Sequence, residues 1–187
     1  MSELETLKKK LAEQAAAAGL LDVSYRLLDT PVGSLLLAAT DAGVVRVAFA
    51  REDFDTVLGS LAEKIGVRIL QRPAPLDAAA RQLDEYFAHQ RTSFELTLDH
   101  RLSSGYRLEV QLALPSIGYG QTMSYRQIAE LTGRPAAVRA VGTACATNPL
   151  PIVVPCHRVL RSDGTLGGYL GGEDTKKVLL EFEQDLT

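Results

Sequence analysis

VSYRLLDTPVGSLLLAATDAGVVRVAF, residues 23–49, decides the fold of the first half of the chain. Its apolar runs VSYRLL, SLLLAAT and VVRVAF are parted by Thr30-Pro31-Val32-Gly33 and by Asp41-Ala42-Gly43. Short apolar runs separated by turn-forming residues predict an antiparallel meander. Upstream, residues 3–18 are rich in Ala, Leu, Lys and Glu and predict an exposed or loosely docked helix ending at Gly19, with no chemistry of its own. Downstream, helices are expected over 53–64 and 76–89, the second carrying Leu76, Ala79, Ala80, Leu83, Tyr86 and Phe87 at helical spacing. Residues 94–98 alternate like an edge strand. This half holds no cysteine and no cluster of catalytic residue types, so it is read as a small α+β scaffold.

A chain of 187 residues holds one ordinary domain or two small ones, and 46% apolar with 23% charged residues is a globular balance that argues against disorder. No stretch approaches the roughly 20 apolar residues of a membrane helix, and MSELETLKKKL is charged where a secretory signal would be apolar. The expected location is the cytoplasm. Cys145 and Cys156 are too close in sequence for a disulfide framework, and three histidines without a CxxC pair leave no expected metal site. The net charge of −3 is unevenly spread: residues 120–161 carry five arginines (126, 134, 139, 158, 161) against Glu130, while both flanks are acidic. Such an island is either a phosphate-facing surface or a group of solvated arginines.

The second half opens with an expected helix over 103–114 and a Gly-rich turn, 117–120. Ser124 is placed to cap a short helix running to Leu131, Thr132-Gly133-Arg134 to turn the chain, and Pro135 to start the next helix. Two short helices joined this way suggest a helix-turn-helix, a pattern ordinary helical proteins also contain. On the second helix Val138, Val141 and Cys145 share one face, and Ala136, Arg139, Ala140 and Thr143 share the other. Cys145 is therefore expected to be a core thiol. The outer face offers small residues and one arginine, which suits a backbone or minor-groove approach better than base readout.

Residues 148–159, NPLPIVVPCHRV, concentrate the chemistry. Three prolines stiffen an extended path and present Cys156 on a rigid strand or loop, where His157 and Arg158 could favour the thiolate. On an extended strand successive side chains point to opposite faces, so the histidine would reach the sulfur through a bend or a water. In the last helix Val178, Leu179, Phe182 and Leu186 form an apolar stripe with Glu183 on its edge. That carboxylate is read either as a partner of cationic His157 or as a half-exposed group pairing with a surface arginine.

The run SYRQIAELTGRPAAVRAVGTACATNPLPIVVPCHRVLRSDGTLGGYLGG resembles the O6-alkylguanine-DNA alkyltransferase family, with its Pro-Cys-His-Arg-Val core the most specific part. The resemblance implies an α+β fold: a small ribonuclease-H-like N-terminal domain, then a mostly helical, winged-helix-like DNA-binding domain with a helix-turn-helix. Expected boundaries are 1–20 for an N-terminal extension, 21–100 and 101–187. It implies direct-reversal DNA repair, in which an alkyl group leaves O6-alkylguanine, or O4-alkylthymine, for Cys156 in a single-use reaction with base flipping. His157 becomes a water-linked base, Glu183 the carboxylate that orients it, and Asn148 a hinge. Tyr125 and Arg139 match the residues that crowd the target phosphate and fill the vacated stack; Ser124, Ala137, Ala140 and Gly142 would lie against DNA. Pro155, Val159, Tyr169 and Leu170, with glycines 167, 168, 171 and 172, match the pocket wall and its loop. No cofactor is implied; the partner is double-stranded DNA met through minor groove and phosphates, and the free protein is a monomer.

Two positions and one missing residue type depart from the family pattern. Leu170 stands where some members have a serine near the guanine, Gln111 where a tryptophan is common, and the first half has no cysteine for the zinc site of some members. Two rivals remain at the level of sequence: a cysteine hydrolase using Cys156 and His157, and a damage sensor that binds alkylated DNA without repairing it.

Overall fold

The computed structural model describes residues 3–185, which form two compact units. The first takes residues up to 85 together with 95–99, the second 86–94 together with 100 onward.

The first unit is built on a four-stranded sheet in the order β3-β2-β1-β4. β1 (Val23–Thr30), β2 (Gly33–Thr40) and β3 (Gly43–Phe49) form the expected antiparallel meander. β2 lies between two partners with both faces covered, which is why Leu35, Leu36, Leu37 and Ala38 are all fully buried and its sequence is a continuous apolar run. β4 (Ile69–Gln71) pairs in parallel with β1, a strand the sequence reading missed because three residues are too few to show a period. Residues 94–98 do not form the expected edge strand. They make one bridge, Val44 to Leu98, closed by Val44 N–H to Thr97 O (2.9 Å) and Asp99 N–H to Val44 O (2.8 Å).

That approach explains Gly43. Its φ is +138°, and a Cβ there would overlap the Thr97 carbonyl. Gly43→Ala is expected to destabilise the protein by about 2–4 kcal/mol, from backbone strain and a clash that rigid backbone cannot relieve. Urea unfolding checks this; a change within about 0.5 kcal/mol would mean the bridge yields freely.

α1 (Glu3–Ala17) packs through Ala12, ties Glu13 to Arg72, and ends at Gly19 (φ +65°), as expected. α2 (Phe54–Lys64) buries Val57 and Leu61. α3 (Asp77–Phe87) stops two residues before the expected end, where His89 turns the chain at φ +56°; its last two residues belong to the second unit.

The second unit is mostly helical: α4 (Gly105–Ala113), α5 (Tyr125–Leu131), α6 (Val138–Ala146) and α7 (Glu173–Gln184), with β5 (Met123–Ser124) and β6 (Val159–Leu160) paired in parallel. Ser124 caps α5 as expected: its Oγ accepts from Gln127 N–H (3.2 Å) while Gln127 Oε1 accepts from Ser124 N–H (2.7 Å). Pro135 does not begin the next helix. It sits second in a turn closed by Ala137 N–H to Arg134 O (2.8 Å), a favoured place for proline, and α6 starts three residues later. α6 buries Val141, Ala144 and Cys145 and exposes Ala136, Arg139, Ala140 and Thr143 on either side of its start. Gln111 is buried and donates Nε2–H to Ala144 O (3.0 Å), fastening α4 to α6. Among the described residues, no helix is long and apolar enough to cross a membrane.

Candidate active site

Between α6 and β6 the chain folds tightly: of the strand or loop expected to present Cys156 it forms the loop, and the path is turned and not extended. Val154 N–H bonds Leu150 O (2.8 Å) across a turn whose apex, Ile152, has φ +72°, a conformation costly for a β-branched residue. Asn148 holds this turn from inside: its Oδ1 accepts from Leu150 N–H (3.0 Å) and its Nδ2 donates to Val154 O (2.9 Å). The same amide reaches Cys156 Sγ at 3.1 Å. Cys156, His157 and Arg158 then form a single 3-10 turn following Pro155. This turn sends His157 and Arg158 to a common target, which a strand would not do.

The target is Glu183. His157 Nε2 lies 2.8 Å from Glu183 Oε1, and Arg158 donates Nε–H to Oε2 and Nη2–H to Oε1, both at 2.8 Å. Gly120 N–H (3.1 Å, to Oε2) and Tyr86 Oη–H (2.7 Å, to Oε1) complete the set. Burial disfavours the Glu183 anion, but bonds from His157 and Arg158 outweigh it and hold the carboxyl at about 2. Burial likewise pushes His157 below its ordinary value, with Arg158 and Lys176 adding to the effect and Glu183 opposing it. The cation paired with Glu183 is therefore Arg158, where the sequence suggested His157. Arg158 is only 5% exposed, so it leaves the surface arginine island; Arg134 is engaged with Glu109 (3.1 Å) and over the Tyr106 ring. Arg126, Arg139 and Arg161 remain exposed.

Cys156 is 2% exposed, and burial raises its thiol to about 11. The opposing influences are the Asn148 amide and the Lys176 ammonium; the expected lowering by His157 and Arg158 is not found. Lys176 was missed in the sequence. Fully buried, it donates Nζ–H to Val159 O (2.6 Å) and lies 5.8 Å from the centre of the Tyr125 ring. The buried face of α7 is Lys176, Leu179 and Glu183, whereas Val178 is 46% exposed, so the apolar stripe was misplaced; Leu186 lies outside the described residues. Asking which polar residue shares a helix face with Glu183 would have found Lys176, seven positions earlier.

β5 and β6 join the two halves of the site: Met123 faces Val159, which sets Tyr125 beside the exit of the Cys156 turn. Tyr125 is half-buried, and its hydroxyl occupies the space a side chain at Gly167 would need. Tyr169 meets the His157 ring edge-on, centroids 6.4 Å apart, and Leu170 is half-buried beside it in sequence. Val159 and Pro155 are buried; Ala137 and Gly142 are half-buried, and Arg139 and Ala140 exposed, around the start of α6. Cys145 is buried, and burial raises its thiol further than that of Cys156.

Residues 106–185 match the family model of the 6-O-methylguanine DNA methyltransferase DNA-binding domain, and residues 23–100 that of the family's ribonuclease-like domain. The chain belongs to the 6-O-methylguanine DNA methyltransferase family. Among similar 6-O-methylguanine DNA methyltransferase relatives, the methylated-DNA–protein-cysteine methyltransferase of Mycolicibacterium paratuberculosis is 40% identical over 162 residues, 87% of this chain and 93% of its own. That of Methanosarcina barkeri is 37% identical over 161 residues, 86% and 97% of the two chains. The solved structure of Mycobacterium tuberculosis OGT in complex with DNA has a TM-score of 0.76 at 37% identity, covering 87% of this chain and 93% of its own. Membership of the 6-O-methylguanine DNA methyltransferase family bears out the resemblance, the α+β class and the methyltransferase class read from the Pro-Cys-His-Arg-Val core. Both domain matches begin after α1, which lies outside them.

Proposed function

We propose that this protein repairs double-stranded DNA by moving the alkyl group of O6-alkylguanine, and of O4-alkylthymine, onto Cys156, once per molecule. The observation that carries this reading is a buried thiol held by Asn148 and the charge of Lys176, next to a neutral imidazole held by Glu183. At neutral pH the resting thiol keeps its proton. His157 Nδ1 is buried and has no hydrogen-bond partner among the described residues, so its lone pair is the acceptor for that proton, delivered through a bridging water. The thiolate sulfur attacks the alkyl carbon, the carbon–O6 bond breaks, and the base takes up one proton to leave as neutral guanine. A thioether remains, with no second nucleophile to remove it.

In this reading the damaged base is flipped out, because O6 within a duplex cannot reach a buried sulfur. Arg139, exposed on α6, fills the gap; Tyr125 crowds the target phosphate; Ser124, Ala137, Ala140 and Gly142 let the backbone approach the minor groove. Pro155, Val159, Tyr169 and Leu170 wall the base. Residues 101–187 act on DNA, 21–100 serve as scaffold, and 1–20 are an addition; the free protein is a cytoplasmic monomer. The DNA-bound M. tuberculosis OGT supports a DNA partner.

The test mixes known protein with excess O6-methylguanine duplex and weighs the intact chain. Product equal to protein, with one methyl on the Cys156 peptide, is the expected result, and Cys145→Ala gives the same yield. Several products per protein would replace the single-use reading with a turnover enzyme.

A further inference from the structure

Tyr86, near the end of α3, has no task in the transfer just described. It is fully buried, its ring centred 5.1–6.0 Å from those of Phe87, Phe94, Tyr119 and Phe182. Aromatic packing of this kind needs no hydroxyl, and three of the four neighbours are phenylalanine. Burying a hydroxyl unbonded costs roughly 1–3 kcal/mol, so its partner matters. That partner is Glu183 Oε1, at 2.7 Å. The same oxygen also serves His157 Nε2 and Arg158 Nη2. Donors that share one carboxylate oxygen divide its charge, and each weakens what the others receive.

We propose that Tyr86 is a positioning residue for alkyl transfer: its hydroxyl holds Glu183 Oε1 against His157 and sets how strongly that carboxylate retains a proton on the imidazole. The inference rests on the proposed alkyl-transfer function. The reaction needs a base that takes the thiol proton and then releases it to the departing guanine, so retention must be limited as well as possible. Tyr86 suits this task because burial, followed by the Glu183 charge, pushes its phenol well above 10, and it stays a donor at every working pH. The other groups facing the pair are Arg158, Lys176 and Tyr119, and burial lowers Lys176 from its ordinary value. Arg158 and Lys176 are cations that oppose a proton on His157. Tyr119, whose Oη meets His89 Nδ1 at 3.3 Å, is itself raised by burial and by Glu183, with Asp185 a lesser influence. Among these neighbours Tyr86 is the neutral donor aimed at the oxygen that binds His157.

Single-use methyl transfer from O6-methylguanine duplex is followed between about pH 5 and pH 9 for the wild type, Tyr86→Phe and protein carrying 3-fluorotyrosine at position 86. Without the hydroxyl, Glu183 holds the imidazolium more tightly, so the acid limb of the rate profile moves up by about half a pH unit or more. The more acidic fluorophenol is a stronger donor and moves the limb down. A filler of space would change the rate at every pH and leave the limb in place. Coincident limbs, or shifts in the reverse order, overturn the proposal; if Tyr86→Phe does not fold, the fluorotyrosine protein decides. A wild type that forms no product removes the alkyl-transfer reading and this inference with it, whereas unmoved limbs in an active protein remove the inference alone.

Discussion

Cys156→Ser is expected to lose alkyl transfer by roughly 10⁴-fold or more while keeping its fold and its affinity for DNA. The site stabilises a soft anion by two contacts, the Asn148 amide at 3.1 Å from Sγ and the Lys176 charge, against a burial cost that already lifts the thiol to about 11. A serine hydroxyl is several pH units harder to ionise than a thiol and a poorer nucleophile toward carbon, so the same contacts leave it protonated. An oxygen still accepts from Asn148 Nδ2, and the volume change is small, which keeps the turn around Ile152 intact. Arg126, Arg139 and Arg161 are exposed and untouched, so binding persists and weakens steeply with salt, as phosphate contacts require. Intact mass after incubation with O6-methylguanine duplex, read beside a binding isotherm at two salt concentrations, checks both halves. A methylated Cys156→Ser chain would relocate the acceptor.

How far the sequence reaches can be judged at single residues. The β1–β3 meander was legible because each strand is long enough to repeat and each turn has its own residue chemistry, whereas β4 has three residues and no pattern to see. Pro135 suits a first helical position and a turn equally well, and only the bond from Ala137 to Arg134 chose between them. In the site, Cys156 and His157 are adjacent and are legible together, whereas the part given to Asn148 came from the family resemblance. Glu183 was found because a carboxylate on an apolar edge is conspicuous. Arg158 reads in sequence as part of a surface island and as an aid to the Cys156 thiolate, not as the partner of Glu183, and Tyr86 reads as core, since each looks ordinary in its own segment. What makes them part of the site is a contact across 25 and 97 residues, which no local period encodes.

Glu183→Gln is expected to cost about 3–5 kcal/mol of stability at pH 7 and to slow transfer by about 10²-fold or more. The carboxylate accepts from five donors: Tyr86, His157, two nitrogens of Arg158 and Gly120. An amide keeps one acceptor oxygen and turns the other position into a donor facing donors, while Arg158, 5% exposed, retains a charge with no counter-ion. Breaking a buried pair in this way is far worse than never having built it. The pH dependence separates this cause from simple loss of packing. Glu183 titrates at about 2 in the folded chain against 4.5 as its ordinary value, so its contribution is complete above about pH 4.5 and is lost as pH falls towards 2. By linkage that contribution is on the order of 3 kcal/mol. His157, also depressed, adds a loss that begins as pH falls through 6.5. Wild-type stability is therefore expected to fall on acidification in two stages, and the gap to Glu183→Gln, which lacks the carboxylate that raises His157, to be at least as large at about pH 4.5 as at pH 7 and to close below it. Urea unfolding of both proteins across that range is the measurement. A gap that stays constant to about pH 3 would mean that Glu183 contributes through its shape and not its charge.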